Sequence, residues 1–208
     1  TQLARAVCRQ IYGACARLHD RGNAEIVLNT LPPFPEQPLG NLAAKSPDAA
    51  NNFLRRVNVL LGDMAPSYVH LNDVAALAER RGLNHWFDVR LWHEAKQPVA
   101  PQSIPELARN TAAVVGAIFG RNRKCLVLDL DNTLWAGVVG DVGVEGLVLG
   151  EGSGIGEALK NFQMHLKAMK DRGVLLAVCS KNDERNALLP FEEHPEMVLK
   201  REDFVAFK

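Results

Sequence analysis

The sequence predicts an α/β protein whose sheets are parallel, and three observations support this. Short apolar runs that are typical of strands alternate with segments of helical periodicity along the chain. In the second half, an apolar strand (124–131), an amphipathic helix (157–172) and a second apolar strand (174–180) follow one another, which implies a parallel, right-handed βαβ unit. These strands are continuously apolar, as expected for a sheet that is covered on both faces.

The first half of the chain alternates helices and short strands. Residues 2–19 have helical periodicity, with Leu3, Val7, Ile11 and Leu18 as expected core positions. The following segments are predicted: strands at 24–30 and 67–71, and helices at 46–61, 73–82 and 103–120. This alternation suggests a flavodoxin-like or SGNH-hydrolase-like layer, although neither a G-D-S nor a G-x-S-x-G nucleophile motif is present.

A polar stretch, "RNRK" at 121–124, separates the two halves. We therefore expect an α/β domain at 1–120 and a second domain at 124–208. The Gly-rich segment 136–156 that follows the first strand of the second domain is expected to form a small flap over the strand end.

Composition and charge exclude several classes of partner. The 208 residues include 24 Lys plus Arg and 24 Asp plus Glu, so the formal charge of zero gives no reason to expect a nucleic acid or an anionic membrane. No apolar run approaches the ~20 residues of a membrane helix, and the N-terminus lacks a signal-peptide core. The four cysteines show no C-x-x-C spacing, which favours reduced thiols in a cytoplasmic protein.

Two carboxylates end the first strand of the second domain, in "KCLVLDLDNTLW" (124–135). Residues i and i+2 of a strand point the same way, so Asp129 and Asp131 are expected to project together at the edge where parallel sheets bind ligands. A hard cation such as Mg²⁺ would compensate their charges, and the pair would suit phosphoryl transfer. The alternative is that both residues only terminate the strand and that Asp131-Asn132 forms a turn. Ser180, after the second strand, could bind a phosphate oxygen.

The ordered motifs D-L-D-N-T-L and V-C-S-K resemble motifs one and two of the haloacid dehalogenase (HAD) superfamily. This resemblance implies a Rossmann-like core in which Asp129 is the nucleophile, Asp131 is the general acid/base, Ser180 orients the phosphoryl group, and Asp129 and Asp131 bind Mg²⁺. The later Lys and the later acidic motif of that superfamily are not recognisable here. We therefore expect the chain to hold the nucleophile without the complete set of catalytic motifs.

A narrower resemblance is carried by "LDLDNTLWAGVVGDVG", "GVLLAVCSKNDE", "PFEEHPEMVLKREDFVAF" and, in the first domain, "WFDVRLWHEAKQP". Together these segments resemble the FkbH-type proteins of polyketide pathways, with Ala136 standing where that family usually has Gly. The resemblance implies an SGNH-like first domain. It also implies transfer of a glyceryl group from 1,3-bisphosphoglycerate to an acyl carrier protein, with removal of phosphate. The alternatives are a generic Mg²⁺-dependent HAD phosphatase and a catalytically silent module that docks a carrier protein.

Cys179 lies between the second strand and Ser180, and two interpretations of its thiol stay open. In one, the thiol carries the acyl group, and a nearby Lys181 or Mg²⁺ favours the thiolate. In the other, Cys179 is a small buried residue that fills the strand end. Cys125, by contrast, is expected to begin a buried strand away from the carboxylates.

Overall fold

The computed structural model describes residues 2–208, apart from the side chain of Glu184. The chain divides into two compact units, one ending at Arg121 and the other spanning Asn122–Lys208, so the division falls within the polar stretch 121–124. Both units combine helices with a parallel sheet, and the expected α/β class is confirmed. None of the helices in the described residues is long and apolar enough to cross a membrane.

The first unit is built on a two-stranded parallel sheet. Its strands are β1 (Ile26–Asn29) and β2 (Val69–Asn72), with Ile26 beside Val69 and Asn29 beside Asn72. Its helices are α1 (Gln2–Gly22), α2 (Ala50–Met64), α3 (Val74–Arg81), α4 (Leu83–Trp86), α5 (Val89–Ala95) and α6 (Ile104–Ile118). A two-stranded sheet is common to many α/β folds, so an SGNH-like or flavodoxin-like relationship stays a prediction.

Helix α1 packs on α2 through small residues rather than through leucines. The buried positions of α1 are Ala4, Cys8, Tyr12 and Cys15, whose spacing marks one helical face. The small side chains of Ala4 and Cys8 let the helices approach closely, so that the Cys8 thiol lies 3.7 Å from the Val57 carbonyl oxygen. The larger Tyr12 extends to α2 and donates to the Leu61 carbonyl.

The expectation that Leu3 and Leu18 are core residues of α1 is wrong. They are 67% and 59% exposed, because they lie outside the stripe of small residues. The other two expected positions, Val7 and Ile11, are half-buried against the core.

Helix starts in the first unit follow local capping. Asp73 caps α3 by accepting a hydrogen bond from the Ala76 N–H at 3.1 Å, and Gly82 ends the helix at φ +89°, as its sequence position suggests. Helix α2 begins at Ala50 rather than at Ser46. The segment after α3, which contains no strong periodicity, still forms the short helices α4 and α5.

The second unit has a three-stranded parallel sheet in the order β3-β4-β5. Its elements are β3 (Cys125–Leu128), α7 (Val139–Val142), α8 (Gly154–Asp171), β4 (Leu175–Val178), α9 (Glu184–Glu193) and β5 (Phe204–Phe207). The registers place Leu128 beside Val178 and Val178 beside Phe207. The three strands therefore end at one edge of the sheet, at Asp129, Cys179 and Lys208.

Within the described residues, only one face of this sheet is covered, which corrects the expectation of burial on both faces. Leu128, Leu176 and Phe204 are buried in the core that includes Leu166 of α8. On the opposite face Val127 and Val205 are each 62% exposed. The cause is topological, since two successive right-handed crossovers in one direction place both connecting helices on the same face.

The Gly-rich segment 136–156 is a packed part of the second unit, not a loose flap. Val139, Leu147 and Leu149 are buried in the core cluster, and Ala136 pairs with Val148 as an isolated antiparallel bridge. Gly150 has φ +90°, and a Cβ at that position would lie 2.4 Å from Cγ of Glu196. At this glycine, a positive φ and a close approach to Glu196 both disfavour a side chain.

Candidate active site

Asp129 and Asp131 lie directly beyond the carboxyl end of β3, where successive side chains alternate between exposed and buried positions. Asp129 is exposed, Leu130 is fully buried, and Asp131 is half-buried. The Leu130 N–H lies 2.8 Å from Oδ1 of Asp129. Asp129 therefore faces solvent at the edge where ligands reach a parallel sheet.

Asp131 is held by donors from three segments of the second unit. Oδ1 accepts from Nε1 of Trp135 at 2.9 Å and from the backbone N–H of Val139 at 3.2 Å. Oδ2 accepts from Nδ2 of Asn182 at 2.7 Å. Both oxygens are engaged, so the carboxylate is fixed in orientation. Besides the turn itself, Trp135 and Asn182 therefore hold this carboxylate.

The loop after Asp131 folds back in a compact turn. The N–H groups of Thr133 and Leu134 both donate to the Leu130 carbonyl. Asn132 adopts a positive φ of 56°, a conformation that Asn tolerates better than most residues, and its Oδ1 accepts from the Gly137 N–H at 3.0 Å. Ala136, the departure from the FkbH pattern, exchanges two backbone hydrogen bonds with Val148.

Gln163 of α8 ties this turn to the rest of the unit. It is fully buried, and its Nε2 donates to the Leu134 carbonyl at 2.8 Å. Its Oε1 accepts from the backbone N–H groups of Val198 and Leu199 at 3.0 and 3.1 Å. The loop that carries Asp131 is therefore anchored by a buried amide.

Ser180 and Asn182 follow β4 and line a cavity of about 180 Å³ together with Ala187, Phe207 and Lys208. Ser180 is half-buried, and its hydroxyl accepts from the Asn182 N–H at 3.3 Å. Because Asn182 also contacts Asp131, the cavity lies next to the carboxylate pair. Lys181 is exposed and does not line this cavity.

Cys179 is exposed, so the interpretation of this thiol as a buried residue is wrong. Strand β4 ends at Val178, and the Cys179 N–H donates to the Leu128 carbonyl at 2.9 Å, which places Cys179 next to Asp129 across the sheet edge. Cys125 is also exposed, contrary to expectation, because it lies on the uncovered face at the other end of β3.

Among the side chains that the structure describes, no group of three or more His, Cys, Asp or Glu is arranged to hold a metal ion. Of the two carboxylates expected to bind Mg²⁺, Asp129 has the more accessible oxygens. Those of Asp131 already accept three hydrogen bonds. Carboxylate oxygens are suitable ligands for a hard cation, and those of Asp129 are more available to bind one than those of Asp131.

Trp135, Gln163 and Asn182 are functional candidates that the sequence reasoning missed. Trp135 and Asn182 follow the two strand ends by only a few residues, and that proximity is the signal that could have identified them. Gln163 offered a different signal, a polar residue among the apolar positions of an amphipathic helix. Their contacts with the site form only when the fold brings the neighbouring strand ends together.

The fold and the site together define an α/β protein with a carboxylate pair at the end of a parallel strand. The chain is similar over its whole length to a crystal structure described as the N-terminal part of the protein BF1531 from Bacteroides fragilis, containing a phosphatase domain complexed with Mg. The identity is 33% and the TM-score is 0.86, and the chain spans 56% of that protein's crystallised chain. No protein-family model and no curated protein matches the chain.

Proposed function

We propose that the protein is a Mg²⁺-dependent phosphoryl-transfer enzyme of the HAD type, with Asp129 as its nucleophile. The observation that carries this proposal is the contrast between the two carboxylates. Asp129 is exposed at the strand end, whereas Asp131 is fixed by Trp135, Val139 and Asn182. The similarity to a phosphatase-containing structure crystallised with Mg supports the same chemistry.

The two carboxylates then have separate roles. A carboxylate oxygen of Asp129 attacks phosphorus, and the bond between phosphorus and the leaving oxygen breaks. Asp131 serves as the general acid that gives a proton to the leaving oxygen, and afterwards as the general base that takes a proton from the water that hydrolyses the aspartyl-phosphate. Ser180, in the neighbouring cavity, is suited to donate a hydrogen bond to a phosphoryl oxygen.

The proposed cofactor is Mg²⁺. It would be bound by the Asp129 carboxylate and a substrate phosphate, and Asp131 would offer a further oxygen ligand. When bound, it neutralises charge on the phosphoryl group. The hydrogen bonds that Trp135, Val139 and Asn182 donate to Asp131 hold its carboxylate in one orientation, and this fixed orientation suits proton transfer.

For the substrate we propose 1,3-bisphosphoglycerate, whose glyceryl group passes to an acyl carrier protein. A thiol attacks the acyl carbon, the carbon–oxygen bond to the C1 phosphate breaks, and phosphate leaves. Phosphoryl transfer to Asp129 removes the other phosphate. The FkbH-like segments at both strand ends support this choice, and the exposed Cys179 beside Asp129 provides one candidate thiol. The pathway would be polyketide biosynthesis in the cytoplasm.

We interpret the first unit as an SGNH-like layer with a binding function. Its parallel strands fit that class, and the absence of a serine nucleophile motif argues against hydrolysis. A binding function would leave the chemistry to the second unit.

The experiment incubates the purified protein with Mg²⁺, 1,3-bisphosphoglycerate and a holo-acyl carrier protein, and follows phosphate release and the mass of the carrier protein. Asp129→Asn should abolish release of the C3 phosphate, so that the carrier protein gains the mass of a glyceryl group that still bears this phosphate. Asp171→Asn, an exposed carboxylate at the end of α8, is the matched control and should behave as the parent.

The outcomes separate the alternatives. Phosphate release without any mass gain on the carrier protein would indicate a generic phosphatase. Release of the C3 phosphate by Asp129→Asn at the parent rate would eliminate the aspartyl-phosphate mechanism. Carrier-protein binding with no phosphate release by the parent would indicate a silent docking module.

A further inference from the structure

A groove runs between α1 and α2 on the first unit, and its sides are basic while its floor is apolar. Two adjoining cavities of about 530 and 340 Å³ share Arg5 and Leu60 and together form it. We call it the α1/α2 groove and define it by the side chains Arg5, Arg9, Arg55, Arg56, Leu60 and Met64.

The arginines of this groove have no acidic partners among the described residues. None of the four forms an ion pair there. Arg55 and Arg56 contact neutral groups instead, the Asn52 side chain at 3.3 Å and the Pro47 carbonyl at 2.7 Å. Positive charge that is left unneutralised along two packed helices is available to an acidic ligand.

The apolar part of the groove indicates what kind of acidic ligand fits. Val59 is 64% exposed beside the arginines, and Leu60 and Met64 continue the apolar surface along α2. A nucleic acid would pair its phosphates with the arginines but would leave this apolar surface uncovered. A protein helix with an apolar stripe flanked by acidic side chains would contact both the apolar floor and the basic sides of the groove.

We propose that the α1/α2 groove docks an acidic amphipathic helix of a partner protein. Two helices that run side by side offer a third helix the ridges and grooves of ordinary helix packing. Resting on the proposed function, that partner is the acyl carrier protein, which must bind somewhere on the enzyme for its thiol to be loaded. The arginines steer and align the carrier protein, and the apolar floor holds it.

Charge reversal in the groove tests this directly. Arg5→Glu/Arg55→Glu should weaken binding of a fluorescently labelled holo-acyl carrier protein at least about tenfold, since like charges now face each other. The matched control is Arg17→Glu/Arg21→Glu, two exposed arginines of α1 outside the groove, which makes the same change in net charge. The control should change the dissociation constant by less than about twofold, because screened charges away from a contact contribute little.

Two further measurements keep the outcomes distinct. In the absence of the carrier protein, phosphate release from 1,3-bisphosphoglycerate should be unchanged in both double variants. Lysine substitutions in the acidic helix of the carrier protein should restore its binding to Arg5→Glu/Arg55→Glu. Equal weakening by the two double variants, or no binding of the carrier protein by the parent, would overturn the docking proposal. So would competition by single-stranded DNA or by vesicles of phosphatidylglycerol at lower concentration than the carrier protein. If the parent releases no phosphate, the proposed function is refuted. Groove-dependent binding of the carrier protein would not be contradicted by that result.

Discussion

Trp135 and Asp131 are joined by a hydrogen bond of 2.9 Å from the indole Nε1 to Oδ1 of the carboxylate. The indole ring is fully buried in the core of the second unit and lies edge-on to Phe191, with 5.7 Å between the ring centroids. Packing therefore fixes the position of the Trp135 indole, and the indole N–H fixes the orientation of the Asp131 carboxylate. The proposed general acid/base takes its orientation from the hydrophobic core rather than from the solvent-exposed turn alone.

Trp135→Phe should lower kcat for phosphate release about tenfold while leaving the unit folded. A hydrogen bond to a charged group contributes about 1.5–3 kcal/mol, and part of that free energy would be lost from the reacting geometry. Trp86→Phe is the control, because Trp86 is also fully buried but its Nε1 has no hydrogen-bond partner. Steady-state kinetics and thermal unfolding of both variants make the comparison. Equal losses of kcat would show that the indole acts only through packing.

Asn182→Ala should also reduce kcat, through Oδ2 of Asp131 rather than Oδ1. The amide donates to this oxygen at 2.7 Å from the segment after β4, and its loss leaves the carboxylate held only through Oδ1. Asn182→Asp should reduce kcat further, since it places a second negative charge beside Asp131. The control is Asn161→Ala on the exposed surface of α8. Steady-state kinetics measure the effect, and a kcat equal to that of the parent in both Asn182 variants would contradict this role.

The fold class and the positions of the strand ends could be predicted from the sequence because both depend on local patterns. Apolar runs locate β3 and β4, and the carboxylates locate the edge of the sheet. Strand β5 was missed, because "FVAF" is short and follows a Pro-containing helix, α9, whose periodicity is weak. The one-sided burial of the sheet was missed as well, since the direction of the second crossover depends on where β5 pairs.

The candidate site was predicted at Asp129, Asp131 and Ser180, but not its supporting contacts. Trp135, Gln163 and Asn182 reach the site from three elements, and local sequence patterns do not reveal tertiary hydrogen bonds. Burial of individual residues was equally hard to predict. Cys125 and Cys179 have apolar neighbours in sequence, yet both are exposed in the folded chain.

Cys179→Ala should abolish both the glyceryl adduct on the enzyme and loading of the carrier protein if the thiol carries the acyl group. Its exposure beside Asp129 makes the thiol accessible to the substrate. Cys125→Ala is the control, as an equally exposed thiol at the other end of β3. Intact-protein mass spectrometry detects the adduct. Normal loading by Cys179→Ala, without an adduct on the parent, would mean that the carrier protein's own thiol attacks the acyl carbon.

Gln163→Leu should destabilise the second unit by about 3 kcal/mol or more, because three backbone groups lose their partner and each buried group that does so costs about 1–3 kcal/mol. The substitution keeps the size of the side chain but leaves the Leu134 carbonyl and the Val198 and Leu199 N–H groups without it. Urea unfolding gives the difference, and Met164→Leu at the exposed neighbouring position should stay within about 0.5 kcal/mol of the parent. If Gln163→Leu also changes the free energy of unfolding by less than about 0.5 kcal/mol, water replaces the hydrogen bonds of the amide.

Asp203 should make the stability of the second unit depend on acid pH. Burial alone would raise the pKa of this carboxyl, but hydrogen bonds from Lys170, the Lys200 N–H and Lys167 outweigh it and hold the pKa below its ordinary value of 3.8. The ion pairs measure 2.6 Å to Lys170 and 3.2 Å to Lys167, and Asp203 is only 3% exposed. A carboxyl with a lowered folded pKa stabilises the fold fully above its unfolded pKa, and this contribution disappears as the pH falls through the folded pKa.

Asp203→Asn should therefore lower the free energy of unfolding at pH 7, and the difference from the parent should shrink as the pH falls below 3.8. Glu202→Gln is the matched control, since its carboxylate is exposed and forms no ion pair among the residues described. Urea unfolding of the three proteins between pH 2 and pH 7 measures the effect. A difference between Asp203→Asn and the parent that stays constant over this range would show that Asp203 stabilises the unit through hydrogen bonds that the amide also makes, and not through its charge.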